Sequence, residues 1–274
     1  MENSTRRVTS KVSEAALELP ALLSLVAELA VTDVGRSRVE ALRPVDSLAE
    51  LENHRQRLTE VSVLLQDGRL VTSLKEPILP LLESLRQGDA AVSGRQLVRL
   101  AEVLKMTHEA RRRIAASEAE SPALEELRSS LPDVDPLRRR ISQTLNQRGA
   151  VRDDASPALS ALRRRSRRIR DSLYKELQET ASQHVEHLSE KTVSLKEGRL
   201  MLLVHAGSRG RIKGLVHGRS GTGQSLYLEP LNVVEANNGL QETLEEEEAE
   251  RRRILIELLE EVRDSLPDLE AALD

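Results

Sequence analysis

The residues with the most chemical potential lie between Lys191 and Pro230. Gly218-Arg-Ser-Gly-Thr-Gly223-Gln224-Ser225 comes within one residue of GxxxxGK[ST], the loop that cradles nucleotide phosphates. The missing residue is the lysine, for which Gln224 stands, and no other side chain in the loop supplies its charge at that spacing. A strand-like run, Ser225-Leu-Tyr-Leu228, follows in place of a helix whose N-terminus would face phosphate. Both features argue against a nucleotide here. His217 and Ser220 offer a base and a nucleophile, but no orienting acid, oxyanion arrangement or GxSxG elbow is recognisable beside them. A polar turn is expected. His184 and His187 share a helix face and could share a metal, yet the chain has no Cys and no placed third ligand, so surface histidines are expected. What remains is cationic: Arg209, Arg211, Lys213 and Arg219, a local basic patch of the kind that any nucleic-acid contact of this chain would need. The competing reading is that these charges keep an exposed small sheet soluble and unpaired.

The elements that must position these residues change period within the stretch. Val193-Ser-Leu195, a turn at Glu197-Gly198, Leu200–Val204, then Ile212, Leu215 and Val216, and finally Ser225–Leu228 read as about four short antiparallel strands. Long helices flank them. Ser156 is a good N-cap and Pro157 suits the first turn. From there to about Glu190 a stripe of Leu159, Leu162, Ile169, Leu173, Leu177, Ala181, Val185 and Leu188 runs without Gly or further Pro. A returning helix over about 231–266 carries Val234, Leu240, Leu244, Ile254, Leu255, Leu258 and Val262. Two such helices around an insertion should pair antiparallel. That pairing sets RRRSRRIR, from Arg163 to Arg170, roughly level with EEEEAERRR, from Glu245 to Arg253. Arg163, Arg164 and Arg167 therefore have two readings: ion pairs that hold the helices together, or secondary phosphate contacts. Glu247 with Arg251 and Glu248 with Arg252 are also i,i+4 pairs in the favourable order.

Before Ser156 the chain reads as a bundle of shorter helices. The first spans Ser13–Leu42, with Leu17, Leu22, Leu25, Val26, Leu29 and Val39 at helical spacing and breaks near Pro20, Thr32-Asp33 and Gly35. The second runs from Ser47 to Gln66, burying Leu51, Leu58, Val61, Leu64 and Leu65, and stops at Gly68. Pro77 and Pro80 open a short one, Ser93 caps one that runs toward Ile114, and Ser121–Leu131 and Asp135–Gln147 complete the set. Gly149 and Arg152-Asp-Asp154 mark a boundary. The expected fold class is mainly α: a helical core over 12–155, an outgoing lever helix over 156–190, a β-rich clamp over 191–230 and a returning helix over 231–266.

Composition agrees with helices packed through aliphatic stripes rather than a thick core. Aromatics are 1% of the 274 residues, charged residues 31%, and Phe, Trp and Cys are absent. A net charge of −4 argues against a generally basic nucleic-acid binder, so any such contact must be a local patch. Only seven of the 41 basic residues are Lys, a bias that genome composition explains as readily as phosphate binding. No apolar run approaches the ~20 residues that span a bilayer, and the opening MENSTRRVTSK has no secretory apolar stretch, so a cytoplasmic protein is expected.

A family resemblance rests on four segments. Gly214-Leu-Val-His-Gly-Arg-Ser-Gly-Thr-Gly-Gln-Ser-Leu-Tyr-Leu-Glu-Pro230, followed by Asn237-Asn238, resembles the GxVHDxSxSGQTxFxEP…NN segment of the MutS family. Gly149-Ala-Val-Arg-Asp-Asp-Ala-Ser156 resembles GxVxDxAS, and Ser194–Val204 resembles TxRxGRYxxPV. Ala16–Pro44 is similar to the opening helix of that family's second bacterial subfamily. The chain departs from the pattern at Gly218 (usually Asp), Tyr227 (Phe), Leu200 (Tyr), Lys196 (Arg) and Leu203 (often Pro). The resemblance implies a core, lever and clamp that grip nucleic-acid backbone, whether mismatched or branched DNA or ribosomal RNA. It implies roles in recombination control and in rescue of collided ribosomes, with ATP and Mg2+ held in an ATPase region and cutting in a nuclease-like module. No Walker lysine or nuclease centre is found in these residues, so the chain itself is expected to hold no cofactor and to catalyse nothing. Its ATPase would come from a missing C-terminal half or a partner chain, and homodimers would need that ATPase region. A helical scaffold that binds only protein is the alternative.

Overall fold

A computed structural model describes residues 11–45, 47–66, 77–88, 92–116, 122–221 and 223–273. The chain divides into two compact units: one takes the residues up to Val151 together with those from Ile256 onward, and the other runs Arg152–Leu255.

The first unit is helical. It holds α1 (Lys11–Ala16), α2 (Leu19–Ala27), α3 (Asp33–Ala41), α4 (Leu48–Gln66), α5 (Leu79–Arg86), α6 (Gly94–Ala116), α7 (Pro122–Ser130) and α8 (Asp135–Thr144). Local chemistry sets several starts. Thr32 accepts a hydrogen bond from the Gly35 amide, so Gly35 lies in the first turn of α3 and the break precedes it. Ser93 and Gln96 cap α6 reciprocally, each side chain accepting from the other's amide. The Asp33 carboxylate accepts from the Ile78 and Leu79 amides, both at 2.9 Å, and so caps α5 from a distant segment. The core is aliphatic: Leu81 and Leu85 of α5, Leu97, Leu100 and Leu104 of α6, and Ile141 of α8 are buried.

One expectation fails in this unit. Leu51, Leu58 and Leu65 of α4 are exposed, and among the described side chains of that stripe only Val61 packs inward, against Ile114 beside Leu127 and Leu131. Helical spacing marks a stripe but not what covers it. Leu17, Leu22, Leu25 and Leu29 are likewise exposed. The Leu64 side chain and Gly68 lie outside the described residues.

The second unit contains α9 (Pro157–Gln183), strands β1 (Leu188–Lys196), β2 (Arg199–His205), β3 (Gly214–Arg219) and β4 (Ser225–Pro230), and the first part of α10 (Val234–Asp264). The helix expected to reach about Glu190 ends at Gln183. A single 3-10 turn, Val185–His187, leads directly into β1, because Leu188 is buried in the sheet core rather than in a helix stripe. The last turn of the expected returning helix also separates: α10 stops at Asp264, and α11 (Leu266–Leu273), with Pro267 in its first turn, belongs to the first unit.

All strand pairs are antiparallel, in the order β1-β2-β4-β3. Glu197 and Gly198 both have positive φ, 51° and 80°, which closes the β1–β2 hairpin where the turn was expected. β4 lies between β2 and β3, so the 206–213 connection crosses past it and β3 becomes a free edge. Leu173 and Leu177 of α9, Leu200 and Leu202 of β2, Leu228 of β4 and Leu240 of α10 share one buried cluster, which seats the sheet on the helix pair.

Candidate nucleic-acid interface

Arg209, Arg211 and Lys213 lie on the β2–β3 connection, and Arg219 ends β3. All four are exposed, and none forms an ion pair with a described residue. The connection is not loose. A 3-10 turn covers Ala206–Ser208, the Arg211 amide donates to the Ser208 carbonyl at 3.1 Å, and Arg209 bridges Ile212. Ile212 is buried among the sheet's apolar residues while Arg211 and Lys213 on either side stay in solvent. One apolar anchor thus fixes a backbone that presents cations.

The upstream arginines are placed differently. Arg163 pairs with Asp153 and, at 2.9 Å, with Glu247; Arg165 reaches Glu246 at 3.5 Å; Arg167 pairs with Asp153 at 3.0 Å. Partner numbers fall along α10 as they rise along α9, which is the antiparallel pairing that the charge tracts imply. Arg164 forms no ion pair with a described residue; its guanidinium donates to the Ser160 hydroxyl. Glu247 is committed to Arg163, so Arg251 pairs with Glu248 instead of the expected Glu247, and Arg252 reaches Glu248 as expected.

At the start of α9, the Ser156 hydroxyl accepts from the Leu159 amide at 3.0 Å and donates to Glu250 at 2.7 Å. Hydrogen bonds from Arg253 first, and from Ser156 second, hold the Glu250 carboxyl down at about 2. A carboxyl depressed on folding adds stability that is present above its unfolded value, near 4.5, and is lost as pH falls toward 2. Glu250→Gln should therefore cost about 2 kcal/mol near neutrality, the value of hydrogen bonds to a charged group. Thermal unfolding of both proteins across acidic pH checks this: the gap should shrink below about 4.5 and close near 2.

The sheet is locked to α10 by a polar network that the isolated motifs do not reveal. Glu229 of β4 is fully buried. Its Oε1 accepts from the Arg199 guanidinium at 2.7 Å and from the Asn237 amide at 2.8 Å, and its Oε2 lies 2.6 Å from Nε2 of His217. Asn237, also fully buried, accepts from the Leu200 amide at 3.0 Å and donates to the Leu200 carbonyl at 2.9 Å, as a strand neighbour would. Arg199 also donates to Asn238. An acid therefore does orient His217, contrary to the reading from sequence. It is Glu229, brought across from β4 because His217 occupies the bulge between Val216 and Gly218. The result is a structural tie: the Ser220 hydroxyl accepts from the Ser225 amide within the β3–β4 turn. That turn also disposes of the near-phosphate loop, since the Gly223 amide donates to Ser220 and β4 follows at once. The rings of His184 and His187 stack at 6.2 Å, and no group of three metal-ligating side chains occurs among the described residues.

Three of the departures from the family pattern touch one another. Lys196 places its ammonium 4.6 Å from the centre of the Tyr227 ring and donates to the His217 carbonyl at 3.2 Å. A Cβ on Gly218, whose φ is +140°, would come within 2.6 Å of that same ammonium.

A small antiparallel sheet is seated on an antiparallel helix pair, and the Glu229-Pro230 and Asn237-Asn238 segments meet at their junction. Comparison with curated proteins finds relatives of one name. The chain is 31% identical over 254 residues to a protein named Endonuclease MutS2 from Thermus thermophilus, 30% over 248 residues to one of that name from Caldicellulosiruptor saccharolyticus, and 29% over 256 residues to one from Symbiobacterium thermophilum. These matches take in 88–89% of this chain but only 30–32% of each relative. The chain is MutS2-like over nearly its whole length, and it spans about a third of the length of the relatives it matches. No protein-family model matches it. No helix among the described residues is long and apolar enough to cross a membrane.

Proposed function

We propose that this chain is a non-catalytic, backbone-gripping part of a MutS2-like protein, and that it works in the cytoplasm on DNA or ribosomal RNA. The observation that carries this reading is the contrast between two sets of cations in one unit. Arg163, Arg165 and Arg167 are taken by acids, whereas Arg209, Arg211, Lys213 and Arg219 stand exposed beside the free β3 edge with no ion pair to a described residue. Contacts of this kind fix position on phosphates and leave sequence unread. ATP and Mg2+ chemistry, and the strand cutting implied by the relatives' name, are assigned to sequence other than these 274 residues, where Gln224 occupies the one lysine position of a near-phosphate loop.

Titration of the 274-residue chain against branched DNA and against ribosomes tests the proposal. Four phosphate contacts give a log–log salt slope of about −3.6 on a duplex, a loss of roughly 100-fold between about 50 and 200 mM salt. Reversing all four charges should abolish binding and leave the unfolding midpoint unchanged. No binding at low salt, or no effect of the reversal, would overturn it. A second reading has one observation in its favour: Leu215 and Val216 are exposed on the free β3 edge, which suits addition of a partner's strand. Binding that is insensitive to salt and lost on Val216→Pro would favour that reading instead.

A further inference from the structure

α9 buries one face and leaves the opposite one exposed. At about 100° per residue, Arg164, Arg168, Asp171 and Lys175 fall within an arc of about 60° and rise about 16 Å along the helix. The buried Leu159, Ser166, Leu173 and Leu177 lie on the other side. All four residues of the arc are exposed, and none forms an ion pair with a described residue. The arginines that flank the arc are the ones the structure neutralises: Arg163 and Arg165 by Glu247 and Glu246 of α10, and Arg167 by Asp153. Arg164 donates to Ser160 and Arg168 to the Arg164 carbonyl, bonds that orient both guanidinium groups along the helix without cancelling their charge. Pairing with Glu246, Glu247 and Asp153 thus neutralises three arginines on the sides of α9, where Arg170 stays exposed, and leaves a cationic track on its outer face, interrupted by the single carboxylate of Asp171 and closed one turn beyond Lys175 by Glu179.

We infer that this track is a second phosphate-contact surface, and that its ligand is the backbone of duplex DNA. The inference rests on the proposed function, since the β3-edge cations make the first contact and α9 extends it. Charge complementarity selects the ligand: three cations along one exposed helix face, none in an ion pair with a described residue, match a row of phosphates. Asp171 lowers the affinity of the track and so tunes it.

The test uses the whole chain and duplex DNA at about 50 and about 200 mM salt. With the track engaged the parent slope on duplex DNA should be about −6, and replacing Arg164, Arg168 and Lys175 together by Gln should weaken binding on the order of 10-fold or more at the lower salt and return the slope toward about −3.6, the value for the β3-edge cations alone. Asp171→Lys, at an exposed position, should tighten binding several-fold and steepen the slope by about 1, a gain that misfolding cannot mimic. If the β3-edge reversal abolishes binding while the triple replacement and Asp171→Lys both behave as the parent, the track is refuted and the proposed function stands. If the parent chain fails to bind duplex DNA at low salt, the track is refuted, and the proposed function falls with it only if branched DNA and ribosomes are not bound either. If the variants change binding to an RNA duplex but not to DNA, the assignment of the ligand is overturned.

Discussion

Glu229→Ala is expected to destabilise the sheet-bearing unit by about 3–5 kcal/mol, the cost of removing one partner from a buried charged pair. The side chain is fully buried, and its carboxylate is shared by Arg199, His217 and Asn237. Truncation leaves the Arg199 guanidinium half-buried without its acid, and it removes the acceptor for one Asn237 proton in an apolar setting. Glu229→Gln keeps the shape but offers a donor where donors already converge, so most of the loss should persist. Hydrogen exchange gives the sharper readout. Protection should fall across 188–240, where the network ties β2, β3 and β4 to α10, and stay at parent level in the helices before Val151. Uniform loss of protection along the chain would show that Glu229 has no special place in this unit.

Gly149→Ala is expected to cost about 2–4 kcal/mol, from left-handed backbone strain and overpacking together. Gly149 has φ +78°, and a Cβ there would sit 2.4 Å from the Arg95 amide nitrogen and 2.5 Å from the Gly94 carbonyl carbon. The loop is otherwise fully determined. Asn146 accepts from the amides of Arg148 and Ala150, Leu145 bridges Val151, and both of those apolar residues are buried. Gly94 is as confined from the other side, its Cβ position lying 2.0 Å from the Gly149 carbonyl oxygen. Backbone meets backbone, and neither residue can yield. Denaturant unfolding of the Ala variant should show the loss in the first unit. A midpoint within error of the parent would mean that the turn relaxes freely.

Local chemistry was the legible part of this chain. The Glu197-Gly198 turn, the Ser156 cap, the change from helical to alternating period and the meeting of the Arg and Glu tracts all follow from residues that act within a few positions or along a known helix pairing. What escaped depended on tertiary partners. Nothing near Gln183 breaks a helix; α9 ends there because Leu188 is worth more inside the sheet than on a stripe. Leu51, Leu58 and Leu65 have the spacing of a core face but no described helix covers them. The Glu229 network joins residues 199, 217, 229 and 237, and it assembles only once β4 is known to lie between β2 and β3. A buried acid beside Pro230 and a pair of asparagines at the start of a helix were its signals, yet spacing alone does not say that they meet. The candidate site was legible as charge and illegible as geometry. Its four cations could be named, but the buried Ile212 that holds their backbone in place counted only as a strand residue.

The contact among Lys196, Gly218 and Tyr227 has a practical consequence for anyone editing this sheet toward its relatives. Consensus substitution treats positions as independent, and neighbours in contact are where that assumption breaks. Asp at 218 would need a φ of +140°, which suits only glycine, and would displace the flexible end of Lys196 from its place on the Tyr227 ring. Arg at 196 would meet a carbonyl and a phenol ring fitted to a narrower cation. The three positions are one unit of design, to be exchanged together or left alone.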